Sequence, residues 1–140
     1  LDVTIQAQVL ALMNDLKQQF KMSLIMITHN LGIVAEMCDR VAVIYAGSIL
    51  ESGPVESVFT RPSHPYTQGL FGSLPDINSK VDRLQPIEGM MPNPLNLPSG
   101  CSFSPRCPHA SPICNKQRPT FTELEKNHFV SCFLAKRGES

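Results

Sequence analysis

Four cysteines in the last third of this 140-residue chain are the side chains whose type and spacing most directly suggest chemistry. They are Cys101, Cys107, Cys114 and Cys132, with five, six and seventeen residues between successive members. Thiolates grouped in this way are ligands for zinc or for an iron–sulfur cluster. The paired Cys-x-x-Cys spacing common in zinc fingers is missing, so zinc is less favoured than an iron–sulfur cluster. His128 could replace one of the thiols.

A second candidate is His29, which follows an apolar run over residues 24–27 and precedes a helical pattern. In open α/β sheets ligands bind beyond the carboxyl ends of the strands, so a histidine at this place could contact a phosphate. The alternative interpretation is a residue that caps a helix or packs in a loop. Position by itself leaves both interpretations open.

The overall composition narrows the possible functions. Twelve Lys and Arg residues balance twelve Asp and Glu residues, and this zero net charge argues against a general nucleic-acid binder. No apolar run approaches the roughly 20 residues that span a bilayer. Five cysteines, an odd number, without a visible signal peptide predict a cytosolic protein whose clustered thiols bind metal. The fifth, Cys38, lies on an apolar helix face and is predicted to be a buried structural thiol.

The elements that must position these residues follow two different patterns, because all twelve prolines lie after residue 53. Before that point the pattern predicts, in order, a helix over Thr4–Phe20, a strand over Ser23–Thr28, a helix from Leu31 with Asn30 as its N-cap, and a hairpin of residues 41–45 and 48–52. Alternating helices and strands predict a layered α/β sheet. Two or three core strands are few for a stable domain, so further strands are expected before residue 1.

The proline-rich half reads as short pieces joined by loops. Its clearest element is a helix from His64 to Leu74, with Pro65 in the first turn and an apolar face that includes Tyr66 and Leu70. This helix is interpreted as a docking element without chemistry, and His64 is not predicted to be a ligand. Residues 76–99 show no strong period and are predicted to be mostly loop.

Three runs in the first half resemble motifs of ABC-transporter ATPases. Residues 1–8 resemble the D-loop that contacts a second ATPase subunit, Ile27-Thr28-His29 resembles the switch motif, and residues 38–53 resemble the closing hairpin. Their order and spacing also resemble those of the family. The resemblance implies that His29 contacts the γ-phosphate of ATP and helps to hold the attacking water, and that Asp2 lies at the interface of two ATPase subunits. Asn30 departs from the family, in which many members have Asp.

Two further runs narrow the resemblance to ATPases of oligopeptide and dipeptide importers. The segment His64-Pro65-Tyr66-Thr67 is similar to the opening of their C-terminal extension, and the cysteine segment is similar to the rest of it. Some members hold a four-iron, four-sulfur cluster on the matching cysteines. The resemblance therefore implies such a cluster on Cys101, Cys107, Cys114 and Cys132, with zinc or no metal as the alternatives.

The implied fold class is α/β, with a partial ABC ATPase core over residues 1–60 and a loop-rich, cysteine-containing extension over residues 61–140. The core would consist of an incomplete, mostly parallel sheet with helices and the closing hairpin. The implied function is to power peptide import by hydrolysing ATP with Mg²⁺, peripherally at the cytoplasmic face of the cell membrane. The implied partners are membrane-spanning permease subunits, a second ATPase subunit and, indirectly, a peptide-binding protein.

Some motifs of a complete ATPase do not occur in this chain. It has no Gly-x-x-x-x-Gly-Lys-Ser/Thr loop to hold phosphates and no Leu-Ser-Gly-Gly-Gln signature. The chain by itself is therefore expected neither to bind ATP tightly nor to hydrolyse it, and its uncovered sheet edge could make it dimerise. The alternatives are a stand-alone iron–sulfur or zinc module and a regulatory interaction domain.

Overall fold

The computed structural model describes residues 3–73 and 87–136, and these fall into two compact units that divide between Asp39 and Arg40. The helices are α1 (Val3–Gln19), α2 (Leu31–Met37), α3 (Val55–Thr60), α4 (Pro65–Gly72) and α5 (Pro112–Lys116). The strands are β1 (Arg40–Tyr45), β2 (Ser48–Pro54), β3 (Thr122–Glu125) and β4 (His128–Val130), and two 3₁₀ turns span Ser104–Arg106 and Phe133–Lys136.

The first unit contains α1 and α2, and both predicted helices are confirmed. Helix α1 has no interior Gly or Pro, which suits a 17-residue helix. Its predicted apolar face stays largely uncovered among the described residues, since Ile5, Val9 and Leu12 are 47%, 48% and 58% exposed. Helix α2 begins at Asn30 as predicted, because the Asn30 side-chain oxygen accepts hydrogen bonds from the backbone N–H groups of Gly32 and Ile33.

The prediction of a strand over residues 23–28 is wrong for this structure. No strand is assigned there, and Ile25 and Ile27 are 91% and 98% exposed. An apolar run becomes a strand only when its backbone N–H and C=O groups pair with a neighbouring strand. No described segment pairs with this run, so it remains an extended connection between α1 and α2.

The second unit is built on an antiparallel sheet with strand order β1-β2-β4-β3. The predicted hairpin of β1 and β2 is confirmed, and it turns at Ala46 and Gly47, whose φ angles are 45° and 74°. Two left-handed residues in a two-residue loop match the right-handed twist of the flanking strands. All three strand pairs among the described residues are antiparallel, so the predicted mostly parallel sheet is wrong here. The strand that was predicted to make this sheet parallel was the run over residues 23–28, which pairs with no described segment.

The cysteine-containing segment supplies the two strands that the sequence pattern did not predict. In β4, Val130 and Phe129 pair with Glu51 and Ser52 of β2, which extends the hairpin sheet across a large gap in sequence. Strand β3 then pairs with β4 at the far edge. With four and three residues, β3 and β4 are too short for alternation of apolar and polar side chains to reveal them.

The core of the second unit joins the hairpin to the cysteine segment. Tyr45 and Leu50 of the hairpin are buried with Cys101 and Phe103, and Tyr66 of α4 packs against this cluster. The Phe103 ring centroid lies 5.3 Å from those of both Tyr45 and Tyr66. These spacings are typical of aromatic pairs that pack favourably. The core therefore places the first cysteine of the group directly against the hairpin.

Helix α4 confirms the helix predicted after residue 63, with His64 as its N-cap and Pro65 at its first position. Leu74, predicted as its last apolar residue, lies outside the described residues, as do residues 76–86 of the predicted loop. Residues 87–99 form neither helix nor strand, which confirms the loop prediction there. Among the described residues, no helix has the length and apolar character needed to cross a membrane.

Candidate metal centre

The first two cysteines are positioned by a tight turn that begins at Gly100. The Cys101 carbonyl accepts a hydrogen bond from Ser104 N–H at 3.0 Å, and Cys107 N–H donates to the Ser104 carbonyl at 3.3 Å. The Cys101 N–H also donates to the Cys114 carbonyl at 2.8 Å. A Cβ atom on Gly100 would collide with that same carbonyl, so only glycine permits the two segments to approach.

The other two cysteines come from short elements further along the chain. Cys114 lies in α5, where its sulfur is 3.3 Å from the Ser111 hydroxyl and 3.5 Å from the Ser111 backbone nitrogen. Cys132 lies two residues after the end of β4 and directly before the last 3₁₀ turn. Its position is therefore fixed by the pairing of β4 with the hairpin strand β2.

All four cysteines line one largely apolar pocket in the second unit. The other residues around it are His64, Pro65, Phe103, Ser104, His109, Pro119, Phe133 and Leu134. The described cysteines are all free, so no disulfide closes this space. The structure thus brings the four sequence-predicted ligands to one place, while metal binding itself stays a prediction.

The electrostatics of the pocket concern the protonation of its thiols. Burial raises the pKa of Cys101, Cys107 and Cys132, and neighbouring thiols of the group raise it further. Backbone hydrogen bonds act in the opposite direction, for example those that Cys101 receives at Phe103 and Ser104. Without a bound cation these three thiols stay protonated at neutral pH, and a metal would have to displace their protons on binding.

The spacing of the thiols bears on which metal group they fit. A single tetrahedral zinc ion with Zn–S bonds of about 2.3 Å requires its sulfurs to lie about 3.8 Å from one another. In the described residues, no group of three or more His, Cys, Asp or Glu side chains is arranged to hold a metal ion. In a four-iron cluster each thiolate binds a different iron, so its sulfurs stand further apart around a larger centre. Four thiols are a donor set that suits either group, so the identity of the metal group stays a prediction.

One residue that lines the same pocket has an unpaired hydroxyl. The Ser104 side chain is 5% exposed, and its oxygen has no hydrogen-bond partner among the described residues. A buried hydroxyl without a partner costs roughly 1–3 kcal/mol. A polar group in the pocket, such as the sulfur atoms of a cluster, would satisfy it.

His128 does not belong to this centre, so the idea that it could replace a thiol is wrong. It is 1% exposed, and its Nε2 lies 2.7 Å from a Glu51 carboxylate oxygen. Its Nδ1 lies 3.2 Å from Glu125, which in turn forms an ion pair with Arg61 at 2.9 Å. Both ring nitrogens are therefore occupied, because β4 turns this side chain towards the hairpin and α4.

Glu51 is the functional position that the sequence pattern missed. Its carboxylate is fully buried and accepts hydrogen bonds from the backbone N–H groups of Ser63 and His64 as well as contacting His128. It thus ties β2 to the start of α4 and to β4. An acidic residue at the centre of β2, directly after Ile49 and Leu50, was the available signal, because carboxylates are almost never fully buried unless paired.

His64 connects this network to the cysteine pocket. Its Nδ1 accepts a hydrogen bond from Tyr66 N–H at 3.0 Å and so caps α4. Burial lowers the pKa of His64 to about 4, although the nearby Glu51 carboxylate acts to raise it. The ring is therefore neutral at physiological pH, and its proton resides on Nε2.

The other residues predicted from the sequence do not line the cysteine pocket, and one of them is not among the described residues. His29 belongs to the first unit, where it is exposed in a bend beside Asn30. Asp2 lies outside the described residues. Cys38 is the C-cap of α2 and is only partly buried, so its predicted burial holds in part.

Comparison with known proteins shows similarity to peptide-transport ATP-binding proteins and to their C-terminal region. Residues 50–114 match the model of the family described as "Oligopeptide/dipeptide transporter, C-terminal region". The chain is 49% identical over 96% of its length to the oligopeptide transport ATP-binding protein AppD of Bacillus subtilis, and 50% identical over 95% to OppD of Salmonella typhimurium. It is also 41% identical over 99% of its length to the dipeptide transport ATP-binding protein DppD of Caldanaerobacter subterraneus.

The matches cover most of this chain but less of its relatives. The chain spans 41%, 39% and 42% of the lengths of AppD, OppD and DppD respectively. The family match begins in β2 and ends at Cys114, so it includes the hairpin strand, α4 and three of the four pocket cysteines. Over nearly its whole length, the chain is therefore similar to part of the oligopeptide and dipeptide transport ATP-binding proteins.

Proposed function

We propose that this chain is part of the ATP-hydrolysing subunit that powers import of oligopeptides or dipeptides by an ABC transporter. The observation that carries the proposal is the identity of 41–50% with three peptide-transport ATP-binding proteins over nearly the whole chain. The subunit would act at the cytoplasmic face of the membrane with ATP and Mg²⁺. Its partners would be permease subunits, a second ATPase subunit and, indirectly, a peptide-binding protein.

In this function His29 would contact the γ-phosphate of ATP. Its side chain is exposed, and the local backbone is fixed because Asn30 N–H donates to the Thr28 hydroxyl at 3.0 Å while Asn30 caps α2. A side chain held on a fixed turn but open to solvent can contact a phosphate and position water. Asp2 would lie at the interface with the second ATPase subunit.

The uncovered apolar face of α1 is consistent with this proposal. Three of its apolar side chains, Ile5, Val9 and Leu12, are about half exposed, and relatives of this chain are more than twice as long. In the complete subunit the remainder of the ATPase domain would cover this face. The same exposure is the reason to expect that the 140-residue chain by itself forms dimers.

We further propose that Cys101, Cys107, Cys114 and Cys132 hold a four-iron, four-sulfur cluster in the second unit. The pocket that all four thiols share and the unpaired Ser104 hydroxyl beside them are the observations that support this proposal. When bound, the cluster supplies four cross-links between loops that contain little apolar core of their own. The protein's own contribution is to hold Cys101 against Cys114 and to fix Cys132 at the end of β4.

A stand-alone metal module or a separate regulatory domain is less well supported by the geometry. Strands β3 and β4 from the cysteine segment continue the sheet of the hairpin β1–β2, and Glu51 contacts His128 across that junction. Residues 61–140 would therefore form an extension of the ATPase core at residues 1–60 rather than an independent module.

Transport by the complete complex tests the main proposal. The complete subunit is deleted in its native cell, and uptake of labelled dipeptides and oligopeptides is measured before and after the gene is restored. Loss of peptide uptake that returns with the wild-type gene is the expected result. Unchanged uptake of every peptide, together with lost uptake of an unrelated solute, would contradict peptide import.

A further inference from the structure

Two buried serines, two positions apart, line different pockets. Ser102 and Ser104 are 7% and 5% exposed, and neither hydroxyl has a hydrogen-bond partner among the described residues. Ser104 lines the pocket of four cysteines, whereas Ser102 lines a separate pocket with Arg118. The chain thus keeps an unpaired donor at the cysteine pocket together with a natural control beside it.

A second donor at the same pocket comes from His64. Its Nδ1 accepts the Tyr66 N–H, which leaves Nε2 as the N–H donor of the neutral ring. His64 is 1% exposed and lines the pocket. Its ring centroid lies 5.8 Å from that of Phe103, which holds it against the buried core.

We propose that the Ser104 hydroxyl and the His64 Nε2–H donate hydrogen bonds to sulfur atoms of the iron–sulfur group in this pocket. The inference rests on the proposed cluster on the four cysteines. Ser104 and His64 are then positioning residues that set the cluster's properties without binding iron.

These two hydrogen bonds should favour reduction of the cluster, because reduction changes its charge. Reduction adds one negative charge to the cluster, and hydrogen bonds to its sulfur atoms stabilise that charge. Removing a donor should therefore disfavour the reduced form. A merely structural role would instead lower the stability of the protein and leave the potential of the remaining clusters unchanged.

The test uses the complete subunit purified without oxygen, as wild type and as Ser104→Ala, Ser104→Thr, Ser102→Ala and His64→Asn. Asn keeps a side-chain acceptor for the α4 cap while it removes the imidazole donor. Iron and sulfide are counted first, and the cluster is then titrated against redox mediators and followed by electron paramagnetic resonance.

The expected result is a several-fold lower ratio of reduced to oxidised cluster at fixed potential in Ser104→Ala and His64→Asn. The ratio should be restored in Ser104→Thr and unchanged in Ser102→Ala. Unchanged ratios in both donor variants, or equal changes in both serine-to-alanine variants, would overturn the inference while leaving the cluster in place. Wild-type protein without iron and sulfide would overturn the cluster proposal, and this inference with it.

Discussion

The Glu51 carboxylate lies 2.7 Å from Nε2 of His128, although 77 positions separate the two residues in the sequence. Both side chains are buried, and both strands that bear them belong to one sheet. On its other side, Nδ1 of the same ring lies 3.2 Å from a Glu125 carboxylate oxygen. The contact joins the hairpin to the cysteine-containing extension.

Glu51→Gln is expected to lower the free energy of unfolding by roughly 3–5 kcal/mol, because it leaves His128 and two backbone N–H groups without a charged acceptor. Urea unfolding followed by circular dichroism measures the change. Glu36→Gln, at an exposed position in α2, is the matched control and should shift the value by no more than about 0.5 kcal/mol. Equal stabilities for the two variants would show that the buried carboxylate contributes little.

His128→Gln should destabilise the protein but leave the amount of iron per folded molecule unchanged. The reason is that both ring nitrogens face carboxylates and His128 does not line the cysteine pocket. Cys132→Ser is the comparison and should lower the iron content, because it removes one of the four thiol donors. Iron analysis of anaerobically purified, folded protein decides the matter. A similar loss of iron in both variants would return His128 to the set of ligands.

His64 should make stability depend on pH between about 6.5 and 4. Its pKa is 6.5 in the unfolded chain and about 4 in the folded protein, so the unfolded state binds the proton first as the pH falls. This contribution is complete above pH 6.5 and is lost as the pH falls towards 4, with a size of about 3 kcal/mol.

The pH dependence of His64→Asn provides the measurement. Asn can still cap α4, so the variant should lose the decline between pH 6.5 and 4 while remaining folded at pH 7. Urea unfolding at four or five pH values across this range gives the slopes. The exposed His29→Asn variant should retain the wild-type slope. Parallel curves for wild type and His64→Asn would be inconsistent with a buried neutral imidazole.

The shared sheet predicts which pieces of the chain fold. Residues 40–140 contain all four strands, whereas residues 85–140 contain only β3 and β4 and lack Glu51. A two-stranded sheet is at best marginally stable. The longer piece should therefore give dispersed amide resonances, and the shorter one should stay unfolded even when it is supplied with iron and sulfide or with zinc. A folded shorter piece would favour the stand-alone metal module.

The sequence predicted those parts of the fold that are set by local interactions. The cap at Asn30, the two-residue turn at Ala46 and Gly47, and the start of α4 at Pro65 all follow from neighbouring residues. The four cysteines could likewise be recognised as one group from their types and spacing. Their shared pocket in the structure agrees with that grouping.

Features set by partners distant in sequence could not be predicted in the same way. The run over residues 23–28 is apolar enough for a strand, but a strand also needs a neighbour with which to pair. Strand β4 is only three residues long, and its pairing with β2 became visible only in three dimensions. The roles of Glu51 and Ser104 depend on the same distant packing, since each is defined by what surrounds it.

ATP hydrolysis by the complete transporter with His29→Ala in this subunit tests the central claim most directly. The variant should bind ATP with near wild-type affinity but hydrolyse it at a rate lower by about 100-fold or more, because a group that positions the γ-phosphate and the attacking water has been removed. The exposed Glu36→Gln variant in α2 is the control for local folding. Wild-type turnover in the His29→Ala transporter would contradict the assignment of this chain's histidine to the ATPase site.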